Sequence, residues 1–263
     1  MRASSLLVTV AAAAFLSACT APDPAPDSRP DLRVVSYNIR HGRGLDDQVD
    51  LARTAAVLRE LAPDLVALQE VDQRVTRSGG VDQAAELGRL LGMEHAFGSF
   101  MDYQGGRYGM AILSRLPIRR RQSIELPPGN EPRIALLVEV EDPRGKPLNL
   151  IGVHFDWVRD DALRHAQAEA LCNFLDALDA PYLVVGDFND EPGSRTLGLF
   201  EARASAAAKP AEARFTFPAD EPRKEIDFVF AAPRERWETR EVRVVDEGLA
   251  SDHRPVLAVL GWR

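Results

Sequence analysis

The chain has 263 residues, with Lys+Arg 32 against Asp+Glu 40 and a net charge of −8, which excludes a protein that coats nucleic acid by bulk electrostatics. Its 45% hydrophobic and 27% charged residues lie near the globular average, excluding wholesale disorder and collagen-like or repeat-fibre architectures. Two cysteines, Cys19 and Cys172, make no disulfide framework and lack the paired spacing of a zinc site, so any metal is held by oxygen or imidazole.

Arg2 supplies a short positive leader, and the apolar run Leu6 to Ala18 is shorter than the roughly 20 residues of a membrane-spanning helix. It reads as a secretory signal over 1–18. The ending Leu16-Ser17-Ala18-Cys19 resembles a bacterial lipobox, which implies cleavage before Cys19 and a diacylglycerol on its sulfur. Thr20 rather than Asp after the cysteine favours, by resemblance to lipoproteins of two-membrane bacteria, the outer membrane. Residues 19–30 then form a semi-rigid tether, with Pro22, Pro24, Pro26 and Pro30 removing backbone donors. Loss of 1–18 removes one arginine and no acid, taking the charge from −8 to −9. Lipid rather than charge would therefore hold the protein to a membrane. No repeat or second linker follows, so 31–263 is expected to be one domain, and a monomer.

Within it, Leu32–Tyr37 reads as a buried strand ending at Asn38 and the Gly42/Gly44 loop. Asp50 N-caps a helix with Leu51, Ala55, Leu58 and Ala62 on one face, stopped by Pro63. A strand over Leu65–Gln69 follows, then a helix over Gln83–Leu91 with Gly92 at its C-cap. Short strands are expected at Met110–Leu113, Ile134–Val140 and Leu148–Val153, and a third helix over Asp161–Leu178 with Cys172 as core filler. Further strands are expected at Tyr182–Val185, Ile226–Phe230, Val242–Val245 and Val256–Leu260. Residues 194–214 read as either a short helix or a surface loop. More strands than helices, with the helices scattered, favours two packed sheets covered by helices, an α/β sandwich.

Polar residues recur where apolar runs end: Asn38, Glu70, His154, Asp187 with Asn189, Asp227, and Asp252 with His253. Loops on strand ends carry chemistry. Each has a bland reading as a turn former, a surface charge or a core histidine. Together they offer carboxylates and two imidazoles without thiolate, a set that suits Mg²⁺ or Mn²⁺ better than zinc.

The ordered strings VVSYNIRHG, DLVALQEVD, YGMAILSR, LIGVHFD, LVVGDFND, EIDFVF and SDHRPV resemble, across nearly all of residues 32–260, the motifs of the endonuclease/exonuclease/phosphatase superfamily. The resemblance implies a four-layered α/β sandwich, two packed mixed sheets flanked by helices, and a metal-dependent phosphoesterase. By matching motif, Glu70 is the principal metal ligand, Asn38 lies beside it on metal or phosphate oxygen, and Asp252 is an additional metal or water ligand. Asp187 orients or deprotonates the attacking water, and Asn189 donates to a phosphoryl oxygen. Asp227 fixes the tautomer of His253, which faces the phosphate with His154. Tyr108 and Arg107 compete for one phosphate-contacting role, and Arg133 resembles an arginine near the phosphate. His41, Arg40 and Asp156-Trp157 are candidate substrate-rim residues, whereas His165, beside Arg164 and Gln167, is expected on the surface.

The acidic chain, whose one basic run is Arg119-Arg120-Arg121, makes duplex DNA a poor partner. The expected substrate is a phosphodiester or phosphomonoester of a lipid head group, inositol phosphate or small molecule at the cell envelope. The alternatives are a secreted nuclease and a catalytically silent envelope binding module. The completeness of the motif set argues against the last of these.

Overall fold

The computed structural model describes residues 31–263, so the signal segment, Cys19 and the tether lie outside the described residues. In chain order the elements are β1 (Leu32–Asn38), α1 (Leu51–Leu61), β2 (Leu65–Gln73), α2 (Gln83–Leu91), β3 (Glu94–Tyr103), β4 (Gly106–Ser114), β5 (Ile118–Glu125) and β6 (Ile134–Glu141). There follow β7 (Pro147–His154), α3 (Ala162–Leu175), β8 (Tyr182–Asp187), α4 (Arg195–Glu201), β9 (Ser205–Ala206), β10 (Asp227–Ala232), β11 (Trp237–Val244) and β12 (Val256–Trp262). Two six-stranded mixed sheets result, ordered β11-β12-β1-β2-β4-β3 and β5-β6-β7-β8-β10-β9. Their parallel pairs, β1 with β2 and β7 with β8, are each joined by a helical crossover, as parallel pairing requires.

Alternation along each strand builds the layers. Leu32, Val34, Leu65, Ala67, Leu183 and Val185 turn inward to the core between the sheets. Val35, Tyr37, Val66 and Leu68 turn outward to the apolar faces of α1 and α2. On the other side Tyr182, Val184, Phe228 and Phe230 meet Ala168, Leu171, Leu197 and Phe200 from α3 and α4. The order is helix, sheet, sheet, helix, the expected four-layered sandwich. Cys172 is a free, buried thiol in the last of these cores.

Helix punctuation follows the side-chain chemistry. The Asp50 carboxylate accepts from Arg53 N at 2.9 Å and Asp82 caps α2 through Ala85 N at 3.2 Å, satisfying first-turn amides that have no helical partner. Gly92 closes α2 at φ 64°. Residues 194–214 contain α4 and β9 as well as loop.

Three strands were not foreseen: the two-residue β9, β3 and β5. In β3, Gly98 interrupts a half-buried pattern where Ile134 and Leu136 of β6 pack against it, and in β5 three arginines occupy an exposed edge. Charge on an edge strand blunts pairing with other chains. Arg119 reaches Glu141 at 3.2 Å and Arg120 reaches Glu139 at 3.8 Å, so acids of the neighbouring β6 engage the basic run. No helix among the described residues is long and apolar enough to cross a membrane.

Candidate active site

The inward faces that are apolar in mid-sheet become polar at one end of the sandwich. Asn38 continues the face of Leu32 and Val34, His154 that of Leu148 and Leu150, Asp187 that of Leu183 and Val185, and Asp227 that of Val229 and Ala231. Register finishes the placement, setting Asp187 beside His154 on β7 and directly opposite Asp227 on β10.

Glu70 arrives differently. Even-numbered residues of β2 face the helices, but the ladder to β4 slips between Gln69 and Val71, and Glu70 adopts φ 56°. This bulge carries Glu70 into the cleft and returns Val71 to the helix-facing core. A non-glycine residue held in left-handed backbone is a local strain that the surrounding ladder must sustain. Gly186 has a different cause, because a side chain there would run into the carbonyl of Val153 and push β8 from β7.

Asp187, 1% exposed, is the hub. Its Oδ2 lies 3.3 Å from Asn38 Nδ2, 3.6 Å from His154 Nε2 and 3.7 Å from His253 Nε2, while Oδ1 accepts from Asn189 N at 2.9 Å. Asp227 Oδ2 holds His253 Nδ1 at 3.0 Å. Asn189, at φ 49°, donates Nδ2 to the carbonyl of Phe155 at 3.0 Å. Phe217 packs on the His253 ring with centroids 4.8 Å apart.

The electrostatics separate the two imidazoles. Burial pulls His253 down, but Asp227, Asp187 and Asp252 outweigh it and push it up to about 10, so it is an imidazolium near neutral pH. Burial, with Arg133 and His253 nearby, holds His154 well below its ordinary value, so it is neutral. Burial and then Asp227 raise Asp187. Burial and the Asp252 charge raise Glu70 against the bond from Asn38. Tyr108 is raised by burial and by Glu70, so its phenol keeps its proton.

Carboxylates that resist ionising in a shared cleft call for a cation. The donors are oxygen and imidazole, the choice of a hard divalent ion. Ligand atoms of Asp187, Asp227 and His253 lie within 4.8 Å of one another, but His253 Nδ1 is engaged by Asp227. Glu70, with Asp252 on the same cleft, leaves carboxylate oxygen available for the ion. The residues fit a divalent cation.

Three expectations change on inspection. Asn38 turns its amide NH₂ to Glu70 at 3.1 Å and to Asp187, while its oxygen accepts from Arg40 N at 3.1 Å, so it bridges carboxylates rather than offering oxygen to a metal. Tyr108 lines the cleft, but Arg107 has the opposite strand parity and lies outside it with Gln73 and Arg74. His41 is buried with its carbonyl bonded to Gln83 and is absent from the cleft wall. Asp252 sits at the cleft edge, 3.6 Å from Arg40. Arg133 is buried, its Nη2 3.0 Å from Glu131, its guanidinium over Phe100 at 5.0 Å, and its Nε and Nη1 without partners.

The profile of the Endonuclease/Exonuclease/phosphatase family matches residues 35–253. The chain belongs to that family. Among its relatives is the uncharacterized protein YbhP of Escherichia coli K12, 28% identical over 217 residues, covering 76% of this chain and 84% of YbhP. The endonuclease/exonuclease/phosphatase of Beutenbergia cavernae superposes with a TM-score of 0.74 at 25% identity, over 89% of this chain and 72% of that one. Mannosyl-6-phosphatase Bt3783 of Bacteroides thetaiotaomicron has a TM-score of 0.69 at 17% identity, over 88% and 99%. Family members are hydrolases with divalent-metal chemistry.

Sequence reasoning missed part of the cleft wall. Arg164 and Gln167 were expected beside a surface His165, but both are buried, and Arg164 Nε lies 3.0 Å from Asp190 on the wall. The available signal was two polar residues three apart on the core-facing side of α3. His165 is partly covered, 3.6 Å from Glu169. Glu131, Arg159, Phe217 and Lys224 also line the cleft, from loops without a motif.

Proposed function

We propose that the chain is a Mg²⁺- or Mn²⁺-dependent phosphoesterase hydrolysing a small-molecule or head-group phosphoester at the cell envelope. The observation that carries this reading is the convergence of Asn38, His154 and the Asp227-oriented His253 on one carboxylate, Asp187, beside Glu70 on its bulge.

Bound by Glu70 and Asp252, the cation would neutralise charge on the phosphoryl and leaving oxygens. Asp187, its pKa raised, orients a water in line with the scissile bond and takes its proton. The His253 imidazolium donates to a phosphoryl oxygen, and Asp227 keeps Nδ1 engaged so that Nε2 faces substrate. His154 and Asn189 hold the same oxygens, and the buried, unpaired donors of Arg133 add charge-assisted bonds. Tyr108 adds a neutral hydroxyl. No serine or cysteine nucleophile is required.

Removing the Glu70 carboxylate tests the metal assignment. Glu70→Ala should lower activity by about 10²-fold, mainly through weaker cation binding, with partial rescue at high Mg²⁺ in a titration of rate against metal. No change in metal dependence would contradict the role. A net charge of −9 on the processed chain, and the engagement of Arg119 and Arg120 by acids, argue for a small substrate over duplex DNA. Nicking of supercoiled plasmid at limiting enzyme, with no turnover of small phosphoesters, would sink that preference.

Export and lipidation at Cys19 complete the reading, with 1–18 removed, 19–30 as tether and 31–263 as the catalytic domain. Cys19→Ala should abolish incorporation of labelled palmitate and release the protein from membranes; unchanged membrane retention would count against the anchor.

A further inference from the structure

The cleft has a volume of about 700 Å³, more than the phosphoryl group at Asp187 fills, and its outer wall is built rather than incidental. The loop after His154 carries Trp157 and Arg159 outward but is fastened from beneath. Buried Asp156 accepts from Asn130 N at 2.6 Å and from Val158 N at 3.0 Å, and its own amide donates to Gln167 Oε1 at 3.0 Å. Arg164 Nη1 donates to the carbonyl of Val158 at 2.6 Å. A loop so pinned presents its side chains with little ordering left to lose on binding.

Trp157 is 58% exposed, the most exposed large apolar side chain among the described residues, and it lines the cleft. Arg159, two residues on, and Lys224, from the turn that bears Phe217 on the His253 side, are exposed cleft residues with no carboxylate at ion-pair distance among the described residues. That sets them apart in this cleft, where Arg133 and Arg164 are each matched to an acid. Glu191 on the same wall is exposed and suits hydroxyl donors rather than a second anion.

We propose that Trp157, Arg159 and Lys224 form a leaving-group subsite for a ring-shaped, hydroxylated phosphoester bearing a second anionic group. The ring lies on Trp157, and the second anion lies between Arg159 and Lys224. This rests on the phosphoesterase reading for its use in turnover, but binding at the subsite needs no chemistry.

The test follows from the tryptophans. Trp237 and Trp262 are buried, so a change in tryptophan emission on ligand addition reports chiefly on Trp157. Fructose 1,6-bisphosphate serves as the probe, with glucose 6-phosphate and glycerol 1-phosphate for comparison, added to the full chain in EDTA. Saturable quenching should be tightest for the bisphosphate, vanish in W157F, and weaken about tenfold in the R159Q/K224Q double variant. In turnover with Mg²⁺, the double variant should raise KM for the bisphosphate about tenfold and leave glycerol 1-phosphate within about twofold. Absence of saturable quenching, equal loss on all three probes, or an emission change only with phosphatidylglycerol vesicles would overturn the subsite. Quenching as described from a protein with no phosphoesterase activity would keep the subsite and sink the catalytic reading.

Discussion

Replacing His253 by alanine should lower kcat by about 10³-fold, with no recovery at any Mg²⁺ concentration. The imidazolium is built by its surroundings, because Asp227 at 3.0 Å, with Asp187 and Asp252, outweighs the burial that would neutralise it. An oriented donor cannot be replaced by more free cation, and here this variant parts company with Glu70→Ala. The companion change Asp227→Asn removes the main cause of the raised pKa, so the alkaline limb of the rate profile should move to lower pH. Activity that needs the imidazolium is lost as pH rises through the His253 pKa, and that pKa falls once the carboxylate is gone. Rate profiles of the three proteins, at two metal concentrations each, check both statements. Wild-type-like turnover of His253→Ala would remove the imidazole from the chemistry.

Asp187→Asn should cost about 10³-fold in kcat while leaving the metal-free fold at least as stable as before. The two effects have one origin. Burial and the facing Asp227 raise Asp187 above its ordinary 3.8, so above that pH the folded metal-free protein keeps a proton that the unfolded chain has released. Stability in EDTA therefore falls as pH rises from the carboxylate range toward neutrality, and asparagine removes that slope. Urea unfolding of both proteins across this range measures it. A destabilised Asp187→Asn with an unchanged slope would show that the carboxylate is a structural anchor rather than a strained catalytic group.

Much of this site was legible because the determinants are periodic. Leu183, Val185 and Asp187 share a strand face, so a polar residue ending an apolar alternation already points into the cleft. Asp50, Asp82 and Gly92 marked helix ends by local chemistry alone. Glu70 shows where that logic stops. Its parity places it toward the helices, and only a bulge, set by pairing with β4 forty residues on, turns it inward. The orientation of the Asn38 amide likewise depends on Arg40 N and on two distant carboxylates. Strands β3 and β5 were hidden by a glycine and by an arginine run whose exposed edge position has no signature in a hydrophobic pattern. In the outer wall, Trp157 was legible as a rim residue following His154, whereas Arg159 and Lys224 come from loops that only the folded chain brings together.

The central claim is that this cleft hydrolyses phosphoesters with a divalent cation. The most direct measurement is turnover by purified protein of a phosphomonoester and phosphodiester panel, including bis-p-nitrophenyl phosphate, in EDTA and after addition of Mg²⁺, Mn²⁺ or Ca²⁺. Hydrolysis that is silent in EDTA, restored by Mg²⁺ or Mn²⁺, and lost in His253→Ala is the predicted result. Turnover that persists undiminished in EDTA, or no turnover of any phosphoester with any of the three ions, would contradict it.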